Sequence, residues 1–150
     1  MFTLKRPVAA HSHKRFDYGK YLQLRYGDNE RGDGTSGLVD CWGLIRMIYR
    51  QELQIDLPAY SEIGTRDILN VLRRMRTDAA KLWYRVEHTA VFDIVAMTSE
   101  YGRRVAHVGI LIDPHNMMHS DIGVGVCIQT IDHPTVRTRI VGFYRHGSRM

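Results

Sequence analysis

The chain has 150 residues, 44% hydrophobic and 25% charged, the proportions of a soluble globular protein with one core. No apolar run approaches the roughly 20 residues needed to span a bilayer. The polar, basic start from Met1 to Arg15 lacks the apolar segment of a secretory signal, so synthesis in the cytoplasm and no membrane insertion are expected.

Residues 1–13 read as a flexible N-terminal arm and residues 14–150 as a single domain. Phe16 to Tyr26 carries apolar or aromatic residues at 16, 18, 21, 22, 24 and 26, a spacing that predicts a short helix. A Gly- and Asp-rich loop follows from Gly27 to Gly37. Asp40 is a good N-cap for a helix from Cys41 to Leu53, in which Leu44, Ile45, Ile48 and Leu53 recur at helical spacing; Pro58 lies beyond its end. Thr65 to Arg76 predicts another helix, with Asp67 in its first turn and Arg73, Arg74 and Arg76 near its end. Short β-rich runs then succeed one another: Leu82–Val86, Phe92–Met97, Val105–Ile112, Met117–His119, Val124–Ile131 and Ile140–Tyr144. Helices first and strands afterwards predict an α+β fold, N-terminal helices packed on an antiparallel sheet.

Lys and Arg outnumber Asp and Glu by 21 to 16, but they are scattered and are not interleaved with aromatics. The formal charge of +5 therefore reads as solubility before nucleic-acid binding. Two cysteines, Cys41 and Cys127, make neither a disulfide framework nor a CxxC pair, and none of the 8 histidines shows HExxH spacing. No metal or other cofactor is expected. His11 and His13 read as solvated side chains of the arm.

A thiol attacks well as thiolate, and a helix N-terminus favours that form. Cys41 follows a probable N-cap, and Gly43 is expected to leave the backbone beside it open to a substrate carbonyl. Position alone leaves nucleophile and inert core cysteine equally open. Cys127, within Val124–Ile128, reads as a small buried strand residue. A cysteine nucleophile needs an imidazole, and the imidazole an orienting partner. In Val105–Ile112, Ala106, Val108, Ile110 and Ile112 share one face, and Val105, His107, Gly109 and Leu111 the other. Asp113, Pro114, His115 and Asn116 predict a hairpin turn. A three-residue loop at 112–114 or 113–115 puts His119 opposite His107 or one diagonal step away. His115 reads as a surface residue.

Asp40-Cys-Trp-Gly-Leu-Ile, then His107-Val-Gly-Ile, then Met118-His119-Ser120, with His119 twelve positions after His107, resemble the NlpC/P60 peptidase family. The resemblance implies a papain-like fold and acyl-enzyme hydrolysis of peptide bonds in peptidoglycan stems, with Cys41 as nucleophile, His107 as base and His119 as orienter. It also implies substrate contacts near Asp40, Trp42 and Tyr26. Tyr26 is the nearest substitute for a tyrosine that many members carry where this chain has Asn29. Phe92-Asp93-Ile-Val95 is similar to the family's G-D-[LV]-[VI] strand, with Phe92 in place of the glycine. A narrower resemblance, carried by Trp42, Leu57-Pro-Ala-Tyr60 and Gly142-Phe-Tyr-Arg-His146, is to phage tail-assembly peptidases. It implies partners at a tail tip or hub, incorporation in the virion tail and action in the cell-wall or periplasmic space. Two alternatives remain: a structural tail-tip protein that keeps the fold with little activity, and an acyltransferase or amidase using the same thiol.

Overall fold

The computed structural model describes residues 16–61, 63–64, 70, 73–74, 82–98 and 105–150. The predicted arm, residues 1–13, lies outside the described residues. So does most of the predicted Thr65–Arg76 helix, of which Asn70, Arg73 and Arg74 are described and helical.

A 3₁₀ turn at Gly19–Tyr21 leads to two short parallel strands, β1 (Arg25–Tyr26) and β2 (Leu38–Val39), and then to helix α1 (Cys41–Leu53). Strands β3 (Trp83–Val86), β4 (Ile94–Thr98), β5 (Val105–Leu111), β6 (Asn116–Asp121) and β7 (Gly125–Thr130) follow, then a short helix α2 (Pro134–Arg137) and β8 (Ile140–His146). The last six strands form one antiparallel sheet in the order β3-β8-β4-β5-β6-β7. The mixed helix and antiparallel-sheet class is as expected. Apart from the helical residues Asn70, Arg73 and Arg74, the α-helices among the described residues are α1 and the four-residue α2, and the sheet dominates.

The predicted Phe16–Tyr26 helix is replaced by the 3₁₀ turn and β1. Apolar residues at 22, 24 and 26 also fit an extended chain, and tertiary bonds decide between the two periods. Arg25 N–H donates to the Gly37 carbonyl and Gly27 N–H to that of Val39, while Tyr21 Oη is held between Gln51 and Glu52 at the far end of α1.

Period-two alternation gives the sheet two apolar faces. Ile94, Ala96, Val108, Ile110 and Met118 pack with Trp42, Leu44, Ile45, Ile48 and Tyr49 of α1. On the opposite face, Val95, Met97, Leu111 and Met117 form a smaller core with Val136 of α2 and Ile131. The helix starts at a well-made N-cap: Asp40 is extended and its Oδ1 accepts the Gly43 N–H at 2.7 Å. It ends at Gln54, in the left-handed region at φ 56°, with the Ile55 N–H returned to the Tyr49 carbonyl.

Candidate active site

The hairpin joining β5 and β6 pairs Ile110 with Met118 and Leu111 with Met117, and Ile112 N–H bonds the Asn116 carbonyl. The loop is therefore 113–115, one of the two predicted. In this register His119 stands across from Gly109, one diagonal step from His107. The rings meet there, His107 Nε2 to His119 Nδ1 at 2.7 Å, with planes 80° apart. Gly109 keeps this crossing uncrowded: a Cβ would lie 2.9 Å from the Met117 sulfur, 3.2 Å from the Met118 carbonyl oxygen and 3.4 Å from the His119 Cβ.

Beyond Ile110 and Met118, no further rung joins β5 to β6. The chain entering α1 occupies the split. Ser120 Oγ on β6 donates to the Val39 carbonyl at 2.8 Å, and the Val108 N–H on β5 meets the Cys41 thiol. The nucleophile candidate thus sits at the start of α1, against the residue that follows His107. With His107 Nε2 engaged by His119, Nδ1 is the other nitrogen of the ring.

The electrostatics differ from the expected activated thiolate. Burial, and next the Asp40 carboxylate, push the Cys41 thiol up to about 12, against the N–H groups of Val108 and Trp42 and the Arg31 guanidinium. Burial, then the second ring, hold His107 below the usual imidazole range, and burial does the same to His119. The resting site is a neutral thiol with two neutral imidazoles. Asp121, exposed on β6, is the carboxylate whose charge favours protonation of both rings.

Asp40 and Trp42, expected at the substrate, are both fully buried. Their polar atoms are used inside the protein. Asp40 Oδ2 accepts Arg31 Nε at 2.7 Å, and Trp42 Nε1 donates to the Pro58 carbonyl at 2.9 Å. They hold the nucleophile in place from below. Gly43 is also explained differently from the expectation. A Cβ there would lie 2.1 Å from the Glu30 carbonyl oxygen, so the glycine admits the Glu30–Arg31 backbone rather than a substrate. Tyr26 is half-buried and pairs with Val39 across β1 and β2; its hydroxyl donates to Asp28 at 2.6 Å.

Two residues escaped the sequence reading. Arg31 spends its guanidinium on Asp40 and on the carbonyls of Ala59, Tyr60 and Ile63, locking the loop after α1 to the N-cap. No local pattern marks a loop arginine for that task. Cys127 stands directly across from His119 in the β6–β7 register, its sulfur 3.5 Å from His119 Nε2. A turn centred on Gly123 would have supplied that register.

The family model for NlpC/P60 matches residues 25–145. The chain belongs to the NlpC/P60 family. Members of this family are in general cysteine peptidases and peptidoglycan hydrolases. Among solved structures, an NLP/P60-family protein similar to a lipoprotein, from Staphylococcus aureus subsp. aureus Mu50, superposes with a TM-score of 0.57 at 20% identity, over 84% of this chain and 37% of that one. An NlpC/P60 family protein from Bacillus cereus ATCC 10987 gives 0.54 at 24% identity, over 83% and 36%. The NlpC/p60 domain of the peptidoglycan hydrolase SagA gives 0.53 at 17% identity, over 84% and 90%. These likenesses establish the NlpC/P60 domain fold. This chain spans little more than a third of the first two proteins. A search of curated proteins found no match.

The family's glycine before the conserved-type Asp has a physical explanation in this NlpC/P60 chain. Phe92 sits at φ 77°, a conformation natural to glycine and costly for phenylalanine. Its ring packs against Phe16, centroids 4.7 Å apart and planes tilted by 44°, lies under the Arg149 guanidinium and lines a cleft of about 750 Å³ at the far end of α1. Asp93 beside it is fully buried and accepts two bonds from Arg145 and one from the Ala90 N–H.

Proposed function

We propose that this protein is a cysteine peptidase that hydrolyses peptide bonds in peptidoglycan stem peptides, with Cys41 as nucleophile, His107 as base and His119 as orienter. The observation that carries the reading is the 2.7 Å bond from His107 Nε2 to His119 Nδ1 beside a thiol at a helix N-terminus, in an NlpC/P60 domain. As the Cys41 sulfur attacks the scissile carbonyl, its proton passes to His107 Nδ1. The S–C bond forms and the carbonyl π electrons move to oxygen. The Cys41 N–H at the start of α1, with Tyr26 beside it, faces the developing oxyanion. Collapse breaks the C–N bond, and the leaving amine takes the proton from His107. Water, deprotonated by the same nitrogen, then adds to the thioester carbonyl; the C–S bond breaks, the acid leaves, and the sulfur takes the proton back from His107.

The finer reading is a phage tail-tip enzyme that opens the wall during genome entry, with tail hub proteins as partners. Of the residues carrying that narrower resemblance, Trp42, Leu57, Tyr60 and Tyr144 share one core, while Phe143 packs on the other face of the sheet. Trp42 bonds Pro58, Arg46 donates to the Leu57 carbonyl at 2.8 Å, and Arg31 holds Ala59 and Tyr60. At the other end of the resemblance, His146 packs edge-on against Trp83 at 5.1 Å. The preferred bond is D-γ-glutamyl to diamino acid.

The test is incubation with muropeptides of defined stem sequence and mass spectrometry of the products, wild type beside Cys41→Ala. Cleavage within the stem by wild type alone is expected. Uncut stems, with the protein nonetheless present in assembled tails, would favour the structural tail-tip role instead.

A further inference from the structure

His119 is bonded on both sides. Its Nδ1 meets His107 Nε2 at 2.7 Å and its Nε2 meets the Cys127 sulfur at 3.5 Å. Only one hydrogen fits in the bond between the two imidazoles, and which ring owns it decides whether the site can work. For His107 Nδ1 to accept the proton of Cys41, the hydrogen of neutral His107 must reside on Nε2 and point at His119. His119 Nδ1 is then the acceptor, so the hydrogen of His119 must reside on its Nε2. That N–H is nearly enclosed, since His119 is 4% exposed, and it needs an acceptor of its own. The other tautomer reverses both rings and places a hydrogen on His107 Nδ1, the nitrogen that the peptidase reading uses as the base.

We propose that Cys127 is a positioning residue of the active site: its sulfur accepts the His119 Nε2–H and selects the tautomer in which His107 is a base. The proposal deepens the peptidase reading and rests on it for its kinetic arm. The β-sheet fixes the pair rigidly, because His119 and Cys127 are directly opposed on β6 and β7, flanked by the Ser120–Val126 and Met118–Ile128 rungs. Val126 N–H is itself tied to the Leu24 carbonyl, which anchors the outer strand beside Cys127. Gln129, exposed on the same face of β7, adds a second acceptor to the same ring. Asp121 and Arg139 act on the ring only through space, with opposite signs. Cys127 is thus a reduced, uncharged partner of the ring, set beside the Gln129 amide.

The test reads the tautomer directly. Long-range ¹H–¹⁵N spectra of the imidazoles in ¹⁵N-labelled protein, with the His119 signals assigned by their loss in His119→Gln, should show His119 as the Nε2–H form. In Cys127→Ala the ratio of Nε2–H to Nδ1–H should fall about fivefold, the scale of one neutral hydrogen bond. Muropeptide turnover should fall with it. Cys127→Val, which fills the position without a comparable acceptor, should repeat that result. Cys127→Ser, which keeps an acceptor, should restore both readouts. An unchanged His119 tautomer in the Ala and Val variants would overturn the proposal. A shifted tautomer in a protein that cleaves no muropeptide would uphold the role of Cys127 and bring down the peptidase reading alone.

Discussion

On the loop side of Cys41, Arg31 and Asp40 form an ion pair at 2.7 Å with side chains 5% and 1% exposed. On the sheet side, His107 and His119 are buried as neutral rings beside a neutral thiol. Both flanks take polar groups out of water, and they do so in opposite ways. The charged flank is tolerated because its polar atoms are used: four acceptors surround the guanidinium, and the Asp40 carboxylate caps α1 as well as holding Arg31. Such a pair fixes geometry and has no reason to change protonation. On the proposed mechanism the neutral flank must change it, because His107 gains a charge when Cys41 attacks. Position is held by charge and proton transfer is left to groups that start without one.

Removing the reacting groups should have the largest effect. Cys41→Ala and His107→Ala should each lower muropeptide turnover by at least about 10³-fold with the fold intact by circular dichroism. His119→Ala should cost roughly tenfold to a hundredfold, because it orients without exchanging the proton with sulfur. If the His119 variant were as inactive as the His107 variant, the division of labour on the sheet side would be wrong.

The charged flank should respond in stability. Arg31→Ala takes the guanidinium away from the buried Asp40 carboxylate, at a cost of about 3–5 kcal/mol in urea unfolding. A loss below about 1 kcal/mol, the scale of a surface pair, would show that the pair does not hold the start of α1.

The neutral flank should respond to pH. Burial depresses His107 and His119 in the folded protein, and burial with Arg149 does the same to His146. The unfolded chain protonates these rings near about pH 6.5. Below that value it binds protons that the folded state refuses, so stability present above it is lost as the pH falls toward the depressed values. The melting temperature should decline between about pH 7 and pH 5. The decline should be shallower in the His107→Gln/His119→Gln double variant. Parallel slopes for the two proteins would mean that these rings titrate alike folded and unfolded.

What was readable in the chain follows the same division. The hairpin that brings His107 to His119 was legible, because Asp113–Asn116 fixes the turn and strand parity does the rest. The Asp40 cap was legible as a cap, since its partner Gly43 is three residues away. Its second bond was not: Arg31 sits in a Gly-rich loop and finds Asp40, Ala59, Tyr60 and Ile63 only once the chain has folded. Helix position also suggested an acidic thiol. Enclosure by the sheet outweighs the helix N-terminus, and that enclosure is a property of β5 and β6 splitting around Val39–Cys41. Phe92 was visible as a departure from the family pattern, while its positive φ needed the structure.

The smallest expected effect lies at that residue. Phe92→Ala keeps the unfavourable backbone and loses the ring contacts, whereas Phe92→Gly loses the same contacts and relieves the backbone. The glycine variant should be the more stable of the two by about 1 kcal/mol. Equal stabilities would mean that the left-handed conformation at 92 carries no strain.

The central claim is that Cys41 attacks the stem peptide and that His107 takes its proton. Rapid quenching of wild type with a muropeptide substrate, followed by peptide mapping, should find the acyl group as a thioester on Cys41. It should be absent in His107→Ala. An acyl group on Cys127, or stem cleavage that persists in Cys41→Ala, would contradict the account.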